Sequence, residues 1–104
     1  MDLNFVYMTF GNKEEAQSIG KVLVQENLVA CVNIIDGVNS LYIWQDKLQD
    51  DQEVIMIAKT TSDCMSMVVE RVKALHSYEC PCIIGLPISG GNPEFLDWIV
   101  GMVQ

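Results

Sequence analysis

Side chains that can bind a metal ion concentrate in one short segment, HSYECPC, which begins at His76. His76 is the only histidine, and Glu79, Cys80 and Cys82 follow it closely. Imidazole, carboxylate and thiolate groups are all metal ligands, and soft sulfur favours Cu(I) or Zn(II). His76 is therefore a candidate ligand, with Glu79 or a cysteine completing the shell. The alternative is a histidine at a helix C-terminus that interacts with the helix dipole.

The two thiols of Cys80-Pro81-Cys82 lie close in sequence, but no second pair accompanies them. Such residues point to the same side only if the segment is a true strand. The alternative to metal binding is that both cysteines pack as small apolar residues in or near a strand.

Lys59 ends an apolar run and is expected to find a carboxylate or an anion. Tyr78 and Glu79 meet it if the loop that carries them folds over the strand end. With Tyr42 or Trp44 from a neighbouring chain, this group predicts a polar ligand pocket between subunits. The alternative is a structural ion pair with a tyrosine hydrogen bond.

No catalytic constellation emerges from the sequence. It contains no recognised triad context, phosphate loop or nucleotide fingerprint, so we do not expect an enzyme. The formal net charge of -8 disfavours nucleic acid and anionic membranes as partners.

The length of 104 residues predicts a single domain over residues 1–104. The N-terminus lacks the basic start and small-residue cleavage site of a signal peptide, and no apolar run approaches the ~20 residues that cross a bilayer. We therefore expect a cytoplasmic protein with reduced cysteines.

The elements that must position these side chains are organised around a long β-hairpin. Its strands are predicted over 31–44 and 48–60, joined by the polar gap 45–47. Asp36-Gly37 is a hairpin signal in its own right, but a bulge within one long strand is the preferred interpretation. Fourteen residues at about 3.3 Å each span roughly 46 Å, far beyond a radius of gyration of about 13 Å for this chain length. The ribbon should project and lie against copies of itself.

Two helices and two further strands complete the pattern. Residues 3–10 predict a strand, and Asn12 with Glu15 predicts a capped helix to about residue 26, with Gly20 closely approached by a strand. Residues 61–63 open a second helix, and residues 82–88 read as a buried strand whose Pro87 suggests an end or an edge. The buried stripe of the second helix is predicted to be Met65, Val68, Val69, Val72 and Leu75.

A last helix is capped by Asn92, with Phe95, Trp98, Ile99 and Met102 as its apolar face. The resulting order, β-α-β-β-α-β with a short C-terminal helix, predicts an α+β, ferredoxin-like fold. It has an antiparallel sheet with both long helices on one face.

Several motifs are distributed along the chain: LVACVN at 28–33, LYIW at 41–44 with Lys47, Glu53-Val54 leading to Lys59-Thr60, HSYE at 76–79 before Pro81, LPI at 86–88, and GNPEFLDWI at 91–99. Together these motifs resemble the CutA family of divalent-cation tolerance proteins. The resemblance covers nearly the whole chain. It implies a ferredoxin-like fold, a homotrimer assembled through the long hairpins, and a link to copper or another divalent metal ion.

The resemblance also bears on the metal ligands. Some bacterial relatives pair the histidine with a preceding histidine and a first-strand cysteine, and these positions correspond here to Leu75 and Met8. Met8 is then a candidate thioether ligand for Cu(I). Cys31 matches a cysteine common in the family and is either a further ligand or buried at a subunit boundary.

Two functions follow as hypotheses. The first is a cytoplasmic homotrimer that binds a divalent or cuprous ion through His76, Glu79, Cys31 and Met8 and contributes to metal tolerance. The second is a trimeric signalling or scaffold module, similar in architecture to the PII proteins, that binds a small molecule or protein in a pocket lined by Lys59, Tyr78, Trp44 and Tyr42.

Overall fold

A computed structural model describes residues 2–104 as a four-stranded sheet with three α-helices. The sheet order is β2-β3-β1-β4 and every pairing is antiparallel, so the predicted ferredoxin-like fold is confirmed. The elements are β1 (Leu3–Phe10), α1 (Lys13–Gln25), β2 (Cys31–Trp44), β3 (Lys47–Thr61), a 3-10 turn (Ser62–Cys64), α2 (Met65–Leu75), β4 (Ile83–Pro87) and α3 (Pro93–Met102).

The core lies between the sheet and the pair α1 and α2. Alternate residues of the central strands face these helices, because successive side chains of a strand point to opposite sides. The fully buried members include Val6, Met8 and Phe10 of β1 and Met56 and Ala58 of β3. On the opposite side of the sheet, Ile99 of α3 packs against Leu3 at one end, and the rest of that side is called the open face below.

The β2–β3 ribbon pairs from Cys31 with Lys59 to Trp44 with Lys47, and the longest dimension of the structure is 45 Å. Gln45 and Asp46 both have positive φ, 51° and 63°, as a two-residue turn matched to strand twist requires. Lys47, predicted in the turn, instead begins β3.

The predicted bulge is also confirmed, because the register shifts between Ile35 and Val38. Gly37, with φ 73°, lies at the shift.

Gly20 of α1 marks a close helix-to-sheet contact, as predicted. A Cβ atom at this position would lie 3.0 Å from Met56 Sδ and 3.1 Å from Val32 Cγ2. The cost of glycine for helicity, about 1 kcal/mol, is therefore offset by the short distance between α1 and the sheet.

The N-terminus of α1 is capped as predicted but is used in a further way. Asn12 Oδ1 accepts a hydrogen bond from the Glu15 amide at 2.8 Å. The Glu15 carboxylate accepts from the Ser77 amide at 2.9 Å and from the Ser77 hydroxyl at 3.0 Å. The start of α1 thereby holds the segment after α2, which carries the candidate metal and pocket residues.

The end of α2 and the strand that follows it differ from prediction. Leu75, assigned to the buried stripe of α2, is 38% exposed, because α2 ends there and the next side chain, His76, points inward instead. The strand predicted as buried is shorter, Ile83–Pro87, and is an exposed edge strand of the sheet. Pro87 is its last residue, as the missing amide proton predicts.

The core-facing side of α3 was also predicted wrongly. Asn92 caps the helix as expected, accepting from the Glu94 amide at 3.1 Å. Of the four residues predicted to be buried only Ile99 is, whereas Phe95, Trp98 and Met102 are about 40% exposed. Leu96 and Val100 pack inward beside Ile99. The helix is apolar on more than one side, so periodicity alone does not select the buried one.

Candidate functional site

A cleft of about 420 Å³ lies where the ribbon leaves the sheet, at one end of the open face. One wall comes from the ribbon, another from the end of β1, and the third from the segment after α2. The lining residues are Thr9, Tyr42, Trp44, Glu53, Tyr78, Glu79, Cys80 and Cys82. The lining contains two carboxylates, two thiols and three aromatic rings, and no lysine or arginine, so the cleft is suited to a cationic ligand.

Tyr78 connects two walls of the cleft. Its hydroxyl donates to Glu53 Oε2 at 2.7 Å. Partial burial, followed by this hydrogen bond to a carboxylate, raises the pKa of Tyr78 well above its usual value. Tyr78 therefore stays protonated at neutral pH and keeps the Glu53 carboxylate in place.

The ribbon wall is held in a similar way. Tyr42 donates to Asp51 Oδ2 at 2.6 Å, and this hydrogen bond raises the pKa of Tyr42. Tyr42, Trp44 and Glu53 share one side of the ribbon because of the register beyond the bulge, where Val38 lies opposite Glu53. Trp44 is 52% exposed and lines the cleft.

His76 lies behind the cleft and is committed to the fold. Its ring is 8% exposed and stacks on Phe10 with centroids 4.7 Å apart. Nδ1 accepts from the Tyr78 amide at 3.0 Å, so the neutral ring carries its proton on Nε2, which donates to the Thr9 carbonyl at 2.8 Å. Neither nitrogen has a free lone pair for a metal ion, so the ligand role predicted for His76 does not fit this structure.

The other predicted ligands do not assemble around His76. Met8 is fully buried in the helix-facing core, and Cys31 begins β2 opposite Lys59, at the other end of the sheet from the cleft. Only Glu79 reaches the cleft. Within residues 2–104 no three histidine, cysteine, aspartate or glutamate side chains form a group that could hold a metal. The predicted set of four is therefore corrected: a single chain does not bring it together.

Of the predicted pocket residues, Tyr42, Trp44 and Tyr78 line the cleft and Lys59 does not. The Lys59 ammonium donates to Asn33 Oδ1 instead. Lys59 lies six residues along β3 from Glu53, roughly 20 Å away at about 3.3 Å per residue. The expected contact of Lys59 with Tyr78 or Glu79 is therefore wrong within one chain.

Glu53, Thr9, Cys80 and Cys82 complete the cleft and were not among the predicted pocket residues. Burial raises the pKa of the Cys82 thiol, and a hydrogen bond with Thr9 opposes that shift. Glu53 could have been found from the sequence, since it is the acid directly before the apolar run of β3. In the structure it lies just beyond the last residue of β1, because Phe10 pairs with the following residue, Val54.

The sheet order and the cleft together place the chain among α+β, ferredoxin-like proteins with an extended β2–β3 ribbon. Residues 4–101 match the family model described as CutA1 divalent ion tolerance protein, so the chain belongs to this family and its function lies in divalent-ion tolerance. A relative from Thermus thermophilus, named divalent-cation tolerance protein CutA, is 48% identical over 94 residues, which cover 90% of this chain and 91% of the relative. A relative of the same name from Archaeoglobus fulgidus is 46% identical and is covered over 98% of its length.

Solved structures give the same result. The Thermus thermophilus divalent cation tolerance protein superposes with a TM-score of 0.95 at 44% identity, covering 98% of this chain and 99% of that one. The CutA1 structure from Oryza sativa gives a TM-score of 0.98 at 38% identity, covering 100% and 95%. The chain spans 53% of the full rice protein named CutA 1, chloroplastic. Between residues 2 and 104 no helix is both long enough and apolar enough to cross a membrane.

Proposed function

We propose that this protein acts in divalent-cation tolerance as a homotrimer that binds a metal ion, copper included, at the cleft. The observation that carries the proposal is the composition of the cleft, where Glu53 and Glu79 face a cavity without a basic lining residue. Carboxylate oxygens are suitable ligands for divalent ions. We therefore place the proposed metal site at Glu53 and Glu79 and not at His76, the ligand that the sequence predicted.

Titration calorimetry with Cu(II) and Zn(II) tests this site. The variant Glu53→Gln/Glu79→Gln keeps the shape of both side chains and removes both charges, so we expect markedly weaker binding. The matched control is Glu94→Gln, which removes a carboxylate in the first turn of α3, outside the cleft. Equal binding by the double variant and the wild-type protein would overturn the cleft as the metal site.

The trimer is supported by apolar surface that a single chain leaves uncovered. The tip of the ribbon is apolar on both sides, with Leu41, Ile43 and Leu48 on one and Tyr42 and Trp44 on the other, all between 42% and 70% exposed. The open face adds further exposed apolar side chains, namely Ile35, Ile84 and Leu86. Exposed apolar area on a long ribbon favours association with other chains.

Light scattering tests the oligomeric state. We expect a mass three times that of the 11.6 kDa chain. Ile43→Glu, which places a charge on the 66% exposed tip of the ribbon, should reduce the mass. The matched control Met67→Glu changes a side chain of similar exposure, 53%, on α2 and should not. A folded wild-type protein with the mass of one chain would contradict the proposal.

A small organic molecule is the second candidate ligand, and the aromatic walls favour it. Tyr42, Trp44 and Tyr78 surround a volume within the range of about 300–1,000 Å³ that is usual for small-molecule sites. Because the cleft lies at one end of the open face, a neighbouring chain on that face would border it, as the subunit-boundary hypothesis requires. A thermal-shift screen with metabolites, repeated on Trp44→Ala, tests this candidate: a hit unaffected by the substitution would argue against the cleft.

We further propose a binding rather than a catalytic role, in the cytoplasm. The binding role is supported by His76, whose ring nitrogens are both bound to the main chain and are not available as a general base. The cytoplasmic location is supported by the four cysteines, none of which forms a disulfide. Fractionation of the source cells with immunodetection tests the location.

A further inference from the structure

The pair Cys80 and Cys82 has a position in the structure that the sequence left open. Both residues line the same cleft, on the wall formed by the segment after α2 and before β4. Cys80 is exposed and Cys82 is half-buried, and neither is in a disulfide. Two free cysteines two residues apart on one cavity can together supply two sulfur ligands to a soft metal ion.

Pro81 restricts the conformations in which these thiols can be presented. Its ring fixes its own φ near about −65°, and it holds the preceding residue, Cys80, in extended conformations. Cys82 is fixed from the other side, because the next residue, Ile83, begins β4 and pairs with Met8. Little conformational freedom therefore remains to be lost when both sulfurs bind one ion.

We infer that Cys80 and Cys82 form a dithiolate site for a single soft, thiophilic metal ion, Cu(I), at the wall of the cleft. The inference rests on the proposed metal-binding function and names the ion and its ligands. On binding, each thiol gives up its proton and each sulfur forms one bond to the metal, which keeps its oxidation state. The carboxylates of Glu53 and Glu79 on the same cleft favour the approach of the positive ion, and the ion itself drives the loss of the two thiol protons.

The ligand types select the ion. Thiolate sulfur favours soft ions such as Cu(I), whereas structural Zn(II) sites take four tetrahedral ligands from cysteine, histidine or carboxylate. The described residues offer no group of three such side chains close enough to share an ion. A site with two sulfurs is therefore suited to a low coordination number, which Cu(I) accepts and Zn(II) disfavours.

A competition titration with the full-length protein tests the inference. Cu(I) is supplied under anaerobic, reducing conditions against the chromophoric chelator bicinchoninate, and Zn(II) is titrated separately. We expect one Cu(I) per chain. Cys80→Ser and Cys82→Ser should each weaken Cu(I) binding by about 100-fold or more. Changing a group that only supports a ligand typically lowers metal affinity by about 10–100-fold, and these variants remove the ligand itself. The matched control is Cys31→Ser, which changes a half-buried cysteine outside the cleft and should leave the affinity unchanged.

A second measurement keeps the result independent of variant folding. In the wild-type protein, Cu(I) should protect Cys80 and Cys82 from alkylation by iodoacetamide, as read by peptide mass spectrometry, while Zn(II) protects them less. Unchanged Cu(I) affinity in both serine variants, or equal alkylation with and without Cu(I), overturns the inference. Failure of the thiol site can be distinguished from failure of the proposed function, because divalent-ion binding that depends on Glu53 and Glu79 can persist when the thiols bind no Cu(I).

Discussion

Replacing His76 by alanine separates the two roles that this residue can have. If it were a metal ligand, the variant would lose metal affinity and keep most of its stability. In the structure, the ring instead makes three contacts: it stacks on Phe10, donates to the Thr9 carbonyl through Nε2 and accepts from the Tyr78 amide through Nδ1. We therefore expect His76→Ala to lower the free energy of unfolding and to leave the metal affinity of the folded protein unchanged.

The size of the loss follows from these contacts. Two hydrogen bonds of a buried ring contribute about 1 kcal/mol each. The stacked pair, with centroids 4.7 Å apart and planes inclined by 17°, adds about 1 kcal/mol beyond its buried area. These three contacts alone account for an expected loss of about 3 kcal/mol, a large part of the roughly 5–15 kcal/mol that stabilises a typical domain.

Urea unfolding measures this loss, at one fixed protein concentration because an oligomer's apparent stability depends on it. The midpoint should fall while the slope with denaturant stays the same. His76→Gln is the matched variant: its amide N–H can replace the donor to Thr9, so it should recover about 1 kcal/mol. Metal binding is measured on both variants below the unfolding transition. A folded His76→Ala protein with wild-type stability and no metal affinity would refute the structural role.

Three further predictions concern the cleft, the core and the turn. Tyr78→Phe should reduce the alkaline loss of stability. The raised pKa of Tyr78 makes its contribution complete below about pH 10, and the contribution falls as the pH rises further because the unfolded chain releases the proton first. Unfolding measured from pH 8 to 11 checks this, and the smaller loss that remains in the variant includes the contribution of Tyr42, whose pKa is also raised. Gly20→Ala should cost about 1–2 kcal/mol in urea unfolding despite better helicity, since the new methyl group meets Met56 and Val32, and Val32→Ala in the same chain should recover part of it. Asp46→Gly should increase the free energy of unfolding by roughly 0.5–1 kcal/mol, because φ at this position is 63° and glycine adopts positive φ without strain. The melting temperature should therefore rise slightly, and an unchanged or lower value would contradict the turn geometry.

Local chemistry decided the parts of the fold that the sequence predicts well. The bounds of β1, the cap at Asn12 and the bulge at Gly37 follow from residue types within a few positions of each other. The same holds for the long ribbon, because the alternation of β-forming residues and the two-residue turn are local signals. Even Gly20 could be interpreted correctly, since a glycine in a buried helical stripe implies a close neighbour.

Features that depend on contacts between distant parts of the chain could not be predicted from local residue types. The apolar residues around α3 allow more than one buried face, and the choice is made where the chain end is held to the loop after α1: the Gln104 amide donates to the Asn27 carbonyl at 3.0 Å. His76 was a candidate ligand by type, and only its burial against Phe10 and Thr9 shows that both nitrogens are already bound.

The site itself was determined by tertiary structure. The sequence by itself established the family's motifs, the ribbon and an acidic chain containing sulfur and aromatic side chains. Only the folded chain decided that Tyr78 and Glu53, 25 residues apart, meet in one cleft while Lys59 lies elsewhere. The physical reason is strand register: β1 and the bulge in β2 fix where along β3 each side chain lies, and a residue's type does not carry that information.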